Sequence, residues 1–139
     1  MDPFLMNRLG NCQNRYQDFH THKRVLCVCS AGLLRSPTAA VVLSQEPWNY
    51  NTRAAGLAPE FALVPVDQVL LEWADEIVCM TSDQELELAC KLGNLGLKTP
   101  VVSLNIPDNY RYRDPELVHM ISESYKRHQE RQNSNDLPV

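Results

Sequence analysis

The sequence predicts an α/β fold: a single doubly wound domain with a four-stranded parallel sheet and helices on both faces. Two observations carry this. Short apolar runs rich in valine, isoleucine and cysteine alternate along the chain with stretches of helical periodicity, the pattern of repeated βα units. The first apolar run, Val25 to Val28, leads through a tight loop directly into a helical segment, as a strand buried on both faces does at the ligand-binding end of such a sheet.

The four strands are expected at Val25–Val28, Thr52–Ala55, Ile77–Met80 and Val101–Leu104. Between them, Pro37 suits the first position of a helix, with Ser36 as its N-cap, and Ala39 to Leu43 continue it until Pro47 forbids it. Val66, Val69, Leu70 and Trp73 fall at i, i+3, i+4 and i+7, a helical face on which Trp73 reads as core. Ser82 and Glu85 form a capping-box pattern, with Leu86, Ala89, Cys90 and Gly93 as the packed face behind it and Gly93 and Gly96 as the stop. Asp114-Pro115 starts a last helix whose inner face is Leu117, Val118, Ile121 and Tyr125.

At 139 residues the chain is sized for one domain with a core of its own. Its 44% hydrophobic and 22% charged content is ordinary for a globular protein. A net charge of −4 argues against a general nucleic-acid or membrane surface, so any anion site must be local. Arg24, Arg35 and Arg53 are placed near the phosphate end of the sheet by this reading. No apolar run approaches membrane-spanning length, and M-D-P-F-L-M has no signal-peptide character. Five scattered cysteines do not make a secreted disulfide framework, which points to a reducing cytoplasm. Residues 1–22 read as an extension without a clear pattern, 23–131 as the α/β domain and 132–139 as a flexible tail. Cys12, His20 and His22 lack the partner cluster of a metal site, and neither metal nor cofactor is expected.

The chemistry lies in Cys29–Ser36, C-S-A-G-L-L-R-S. A loop folded over a helix N-terminus turns its backbone N–H groups inward and makes a nest for a tetrahedral oxyanion. Ser30, Ala31, Gly32, Leu33, Leu34, Arg35 and Ser36 supply that nest. Gly32 admits the unusual backbone conformation, and Arg35 adds a charged fork that grips two phosphate oxygens. Cys29 sits at its base, where positive dipoles and an arginine favour the thiolate. No other cysteine has an arginine six residues on. A thiolate beneath a bound phosphate is an in-line nucleophile, so phosphoryl transfer through a cysteinyl-phosphate is the leading expectation.

This loop resembles the phosphate loop of the low-molecular-weight protein tyrosine phosphatases. N-T-R-A-A-G at Asn51–Gly56 and E-W-A-D-E-I-V-C-M at Glu72–Met80 resemble further segments of that family. L-N-I-P-D-N-Y-R-Y-R-D-P-E-L at Leu104–Leu117 is similar to a bacterial branch of predicted protein tyrosine phosphatases. The likeness covers roughly Lys23 to Tyr125. The family loop usually reads C-x-G-N-x-C-R-S, so Ala31 and Gly32 depart from its Gly and Asn, and Leu34 from its second cysteine. The resemblance implies strand order 2-1-3-4 and metal-independent hydrolysis of phosphotyrosine or a similar monoester. The partner it implies is a phosphorylated protein or a small phosphate ester.

Expelling a basic oxygen requires a general acid. Asp108, just after the fourth strand, is the candidate; Asp114 competes, but reads more simply as a helix N-cap. Tyr110 and Tyr112 beside it are candidate walls for a phosphorylated ring, with Phe61 a weaker candidate for the opposite wall. Ser36 can also donate to the Cys29 thiolate. Arg53 reads as a positioning or ion-pair residue. Two alternatives remain at this point: arsenate reduction on the same scaffold, for which Cys79 and Cys90 read as core and not as resolving thiols, and a phosphate-binding module without turnover. A thiol or zinc role for Cys27-x-Cys29 is weaker, lacking C-x-x-C spacing.

Overall fold

The computed structural model describes residues 23–29, 35–46, 48–58, 64–106 and 114–136, with the backbone alone at 35 and 132–136. Its elements alternate as β1 (Arg24–Cys29), α1 (Arg35–Leu43), β2 (Asn51–Gly56), α2 (Gln68–Trp73), β3 (Glu76–Cys79), α3 (Ser82–Asn94), β4 (Val101–Ser103) and α4 (Pro115–Asp136). The strands form one four-stranded sheet in the order β2-β1-β3-β4, with every pairing parallel. This is the expected order, and it makes β1 and β3 the inner strands. Val25 to Cys29 of β1 are all buried, because helices cover both faces of the sheet.

Alternation along β1 divides the core in two. Val25, Cys27 and Cys29 pack on one side with Ala39, Ala40 and Leu43 of α1 and Leu117, Ile121 and Tyr125 of α4. Leu26 and Val28 pack on the other with Leu70 and Leu71 of α2 and Leu88 and Leu92 of α3. No helix among the described residues is long and apolar enough to cross a membrane.

Three helices start elsewhere than expected. Arg35 already belongs to α1, so Ser36 lies inside the first turn and does not cap it. Asp67 caps α2, its side chain accepting from the Leu70 N–H at 2.8 Å. Val66 therefore precedes the helix, Val69 is 67% exposed, and the buried pair is Leu70 and Leu71. Thr81, not Ser82, caps α3 in a full capping box with Gln84. That one-residue change of phase turns the helix: Gln84, Leu88 and Leu92 are buried, while Leu86, Ala89, Cys90 and Gly93 face outward. The stop is a Schellman motif. Leu97 N–H donates to Leu92 and Gly96 N–H to Gly93, with Gly96 at φ +72.

At the amino ends of the strands, Glu76 is buried in a polar cluster that the sequence did not announce. Its carboxylate receives Lys23 Nζ at 2.5 Å and the Tyr125 hydroxyl at 2.8 Å. Tyr50 OH lies 3.3 Å from Tyr125 OH, and the Trp48 indole donates to Gln129 at 2.9 Å. Trp48 and Tyr50 both meet the Tyr125 ring edge to face. The cluster pins α4 to the starts of β1 and β3, which fixes the sheet from the end opposite the candidate site.

Candidate active site

Cys29 is the last residue of β1, at the carboxyl end of an inner strand where parallel sheets hold their ligands. It is 4% exposed, and its backbone carbonyl accepts from Leu57 N–H at 2.9 Å, which ties the strand end to the edge strand β2. The next described residue, Arg35, opens α1, so the chain from 30 to 34 links the thiol to a helix N-terminus. Ser36, completely buried in the first turn of α1, brings its Oγ to 3.2 Å from Cys29 Sγ and 3.4 Å from the Ala55 carbonyl. The Ser36 hydroxyl thus lies between the thiol at the end of β1 and a carbonyl of β2.

Toward the other end of β2, Thr52 stands opposite Val25 and fastens α1 to the edge strand, donating from Oγ1 to the Ala40 carbonyl at 2.8 Å. The small residues Ala39 and Ala40 of α1 are fully buried against the strands. The Cys29 thiol and the Ser36 hydroxyl are both held by packed strand and helix.

The structure unites Cys29 with Ser36. Of the remaining candidates, Ser30, Ala31, Gly32, Leu33 and Leu34, the side chain of Arg35, and Phe61, Asp108, Tyr110 and Tyr112 lie outside the described residues, as do Cys12, His20 and His22. Asp114 stands just before α4 and its Oδ1 accepts the Glu116 N–H at 2.9 Å, the geometry of a helix cap. Arg24 and Arg53 are not at the Cys29 end. Arg24 begins β1, roughly 16 Å of strand from Cys29, and pairs with Asp75 at 3.3 Å. Arg53 holds its guanidinium 4.5 Å from the centre of the Trp73 ring, with no carboxylate partner among the described residues. Its position opposite Leu26 at mid-strand explains why. Both arginines were legible as cations, but their place along the strands was not.

The other thiols are differently housed. Cys27, two residues before Cys29, shares its face of the sheet and is fully buried. Cys79 is also fully buried, and burial together with nearby Glu85 pushes its thiol up to about 11. Cys90, expected in the core of α3, is exposed on its outer side. Among the described residues no three His, Cys, Asp or Glu side chains gather as metal ligands would.

Compared by sequence, the chain matches no protein-family model and no curated protein. Solved structures do match it in fold. The tyrosine phosphatase Wzb from Escherichia coli K30, in complex with phosphate, is 18% identical with a TM-score of 0.59, over 80% of this chain and 99% of its own. A low-molecular-weight phosphotyrosine phosphatase from Vibrio cholerae O395 is 18% identical with a TM-score of 0.55, over 83% and 99%. The YwlE arginine phosphatase from Geobacillus stearothermophilus is 18% identical with a TM-score of 0.54, over 84% and 99%. The fold of this chain is the fold of the low-molecular-weight protein tyrosine phosphatases.

Proposed function

We propose that this protein is a metal-independent phosphatase of the low-molecular-weight type, hydrolysing phosphotyrosine or a similar phosphate monoester through a cysteinyl-phosphate. The observation that carries this reading is the placement of Cys29 Sγ at the carboxyl end of β1, 3.2 Å from a buried hydroxyl in the first turn of α1. The fold shared with tyrosine and arginine phosphatases supports it.

In this mechanism the Cys29 thiolate attacks phosphorus in line. An S–P bond forms as the bond to the leaving oxygen breaks, and Asp108 delivers the proton that oxygen needs. The N–H groups of residues 30–36 and the Arg35 guanidinium hold the three equatorial oxygens as charge moves onto them. Asp108, now a carboxylate, takes a proton from water as that water attacks the phosphoenzyme and releases phosphate and the thiolate. Ser36 donates to the sulfur both when it attacks and when it leaves. Asp114 is engaged as a helix cap, which favours Asp108 as the acid. Tyr110 and Tyr112 are proposed to flank the ring of a phosphotyrosine. The working compartment is proposed to be the cytoplasm, where Cys29 stays reduced.

The test is hydrolysis of para-nitrophenyl phosphate at pH 5–7 with EDTA present. Turnover is expected in the wild type, absent in Cys29→Ser and strongly reduced in Arg35→Ala and Asp108→Asn. Asp114→Asn exchanges one good cap for another and is expected to be mild. Damage at Asp114 and not at Asp108 would move the acid without changing the reaction. Phosphate binding without any turnover would replace the enzyme reading with a binding module. Phosphotyrosine and phosphoarginine peptides offered side by side would then decide the substrate class.

A further inference from the structure

A second concave site lies on the far edge of the sheet, between the end of β4 and the carboxyl half of α4. Its volume is about 340 Å³. It is two strands from β1, roughly 10 Å across the sheet. Arg127, His128 and Arg131 line it from α4, and Ser103 and Asn105 from the end of β4. Among the described residues no carboxylate lines it, although the chain has 17 acidic side chains against 13 lysines and arginines.

Its lining side chains are rich in hydrogen-bond donors. Arg127 and Arg131 stand four residues apart on one helix face, where like charges repel. Neither has a carboxylate partner among the described residues: Arg127 Nε reaches the Glu123 backbone carbonyl at 3.4 Å, and the Glu123 carboxylate pairs with Lys126 at 3.9 Å. Asn105 Oδ1 accepts from Ser103 Oγ at 3.0 Å and Ser82 Oγ at 3.5 Å, which leaves its NH₂ group to donate. Leu104 and Ile106 N–H groups turn inward to the carbonyls of Cys79 and Met80, so the Ser103 N–H faces the open edge. His128 Nε2 is buried and has no hydrogen-bond partner among the described residues. The Ser124 hydroxyl, donating to the Leu104 carbonyl at 2.8 Å, holds the two walls together.

We infer that this cavity is a second oxyanion site that takes a phosphate group. Two guanidinium forks and a side-chain amide line it beside a buried imidazole nitrogen, a donor-rich set that suits a tetrahedral anion and not a cation. The cavity is larger than a bare phosphate, so the group is either free inorganic phosphate or a phosphate carried on a larger ligand. The inference does not depend on catalysis at Cys29.

The experiment follows amide resonances of the full chain during titration with inorganic phosphate, at ionic strength held constant with chloride. Saturable shifts are expected at Ser103, Asn105 and Ser124. In the double variant Arg127→Gln, Arg131→Gln, which alters two exposed side chains, these shifts should need at least about tenfold more phosphate. Shifts at Cys29 and Ser36 should be unchanged, and the thermal midpoint reports whether the fold is intact. No saturable shift near Asn105, or one indifferent to the double variant, overturns the inference. Loss of the shifts at Cys29 and Ser36 alone would count against the catalytic proposal and leave this site standing. In the second arm, peptides with one or two phosphorylated residues are titrated into the Cys29→Ser chain. Tighter binding of the doubly phosphorylated peptide, abolished by the double variant, assigns the site to a ligand-borne phosphate. Equal binding of both peptides, with the inorganic phosphate shifts present, assigns it to free phosphate.

Discussion

Ser36 Oγ lies 3.2 Å from Cys29 Sγ and 3.4 Å from the carbonyl of Ala55, so one hydroxyl of α1 joins the end of β1 to the edge strand. A thiol can donate to that hydroxyl, which in turn donates to Ala55. A thiolate can only accept, and the hydroxyl must turn its proton from the carbonyl to the sulfur. Ser36→Ala removes this donor at the moment the sulfur carries charge. A hydrogen bond to a charged group is worth about 1.5–3 kcal/mol, so kcat/KM for para-nitrophenyl phosphate is expected to fall by roughly ten- to a hundredfold. Alkylation of Cys29 by iodoacetamide at pH 6 should slow in parallel. A variant that turns over and alkylates like the wild type would leave Ser36 a packing role only.

Tyr125→Phe addresses the buried cluster at the other end of the sheet. Glu76 would keep Lys23 but lose the Tyr125 hydroxyl, at a cost of about 1–3 kcal/mol in urea unfolding at pH 7. Burial, the Glu76 carboxylate and Tyr50 together hold the Tyr125 phenol far above its ordinary range. A raised phenol contributes stability that is complete below the unfolded value near 10 and is lost as the pH rises beyond it. The wild type should therefore lose stability above pH ~10 with a slope one proton steeper than Tyr125→Phe. Identical slopes would mean that the phenol is not sequestered from solvent.

Asp75→Asn tests the pair at the start of β1. Burial alone would raise the Asp75 carboxyl, but hydrogen bonds from the Arg24 backbone and guanidinium, with its charge, outweigh burial and hold it below 3.8. A lowered carboxyl contributes stability that is present above the unfolded value and lost as the pH falls through the folded one. The wild type should approach the variant in stability below pH ~4. Both side chains are close to half exposed, so the difference at pH 7 should stay below about 1 kcal/mol. A difference that persists undiminished at pH 2 would show that the carboxylate charge is not its source.

Much of this molecule was legible in its sequence because the signals are local. Val25–Val28 announces a strand buried on both faces by being apolar throughout, and the segment from Cys29 to Ser36 announces the strand-to-helix passage that brings those two side chains together. The strand order came through the resemblance, since nothing in one chain's periodicity says which strands are neighbours. What misled was phase. Thr81 and Ser82 are both acceptable caps; a start at Ser82 goes with an inward Cys90, whereas Thr81 is the cap and Leu88 the buried position. The Glu76 cluster had no local signature: a glutamate beside Asp75 at a strand entrance reads as exposed until Lys23 and Tyr125 arrive from 53 and 49 residues away. Arg24 and Arg53 failed similarly, because which end of a strand meets the loop depends on register between strands.

The two glycines of the α3 stop give a last prediction in which neighbouring positions respond with opposite signs. Gly93 lies inside the helix, exposed, with nothing within 4 Å of an added Cβ. Alanine there removes unfolded-state entropy at no steric cost, so Gly93→Ala should stabilise by about 0.4–1 kcal/mol. Gly96 has equally open surroundings but sits at φ +72, where its N–H donates to Gly93 at 3.1 Å. An L side chain in that left-handed conformation costs about 1–2 kcal/mol, so Gly96→Ala should destabilise even though it touches nothing. Urea unfolding of the two single variants separates the backbone effect from any contact effect, because neither position has a neighbour to lose. If both changes stabilise, α3 does not require the left-handed turn at Gly96, and its end is set by the Leu97 N–H reaching Leu92 alone. If both destabilise, Gly93 carries a conformational demand that its place inside the helix does not explain.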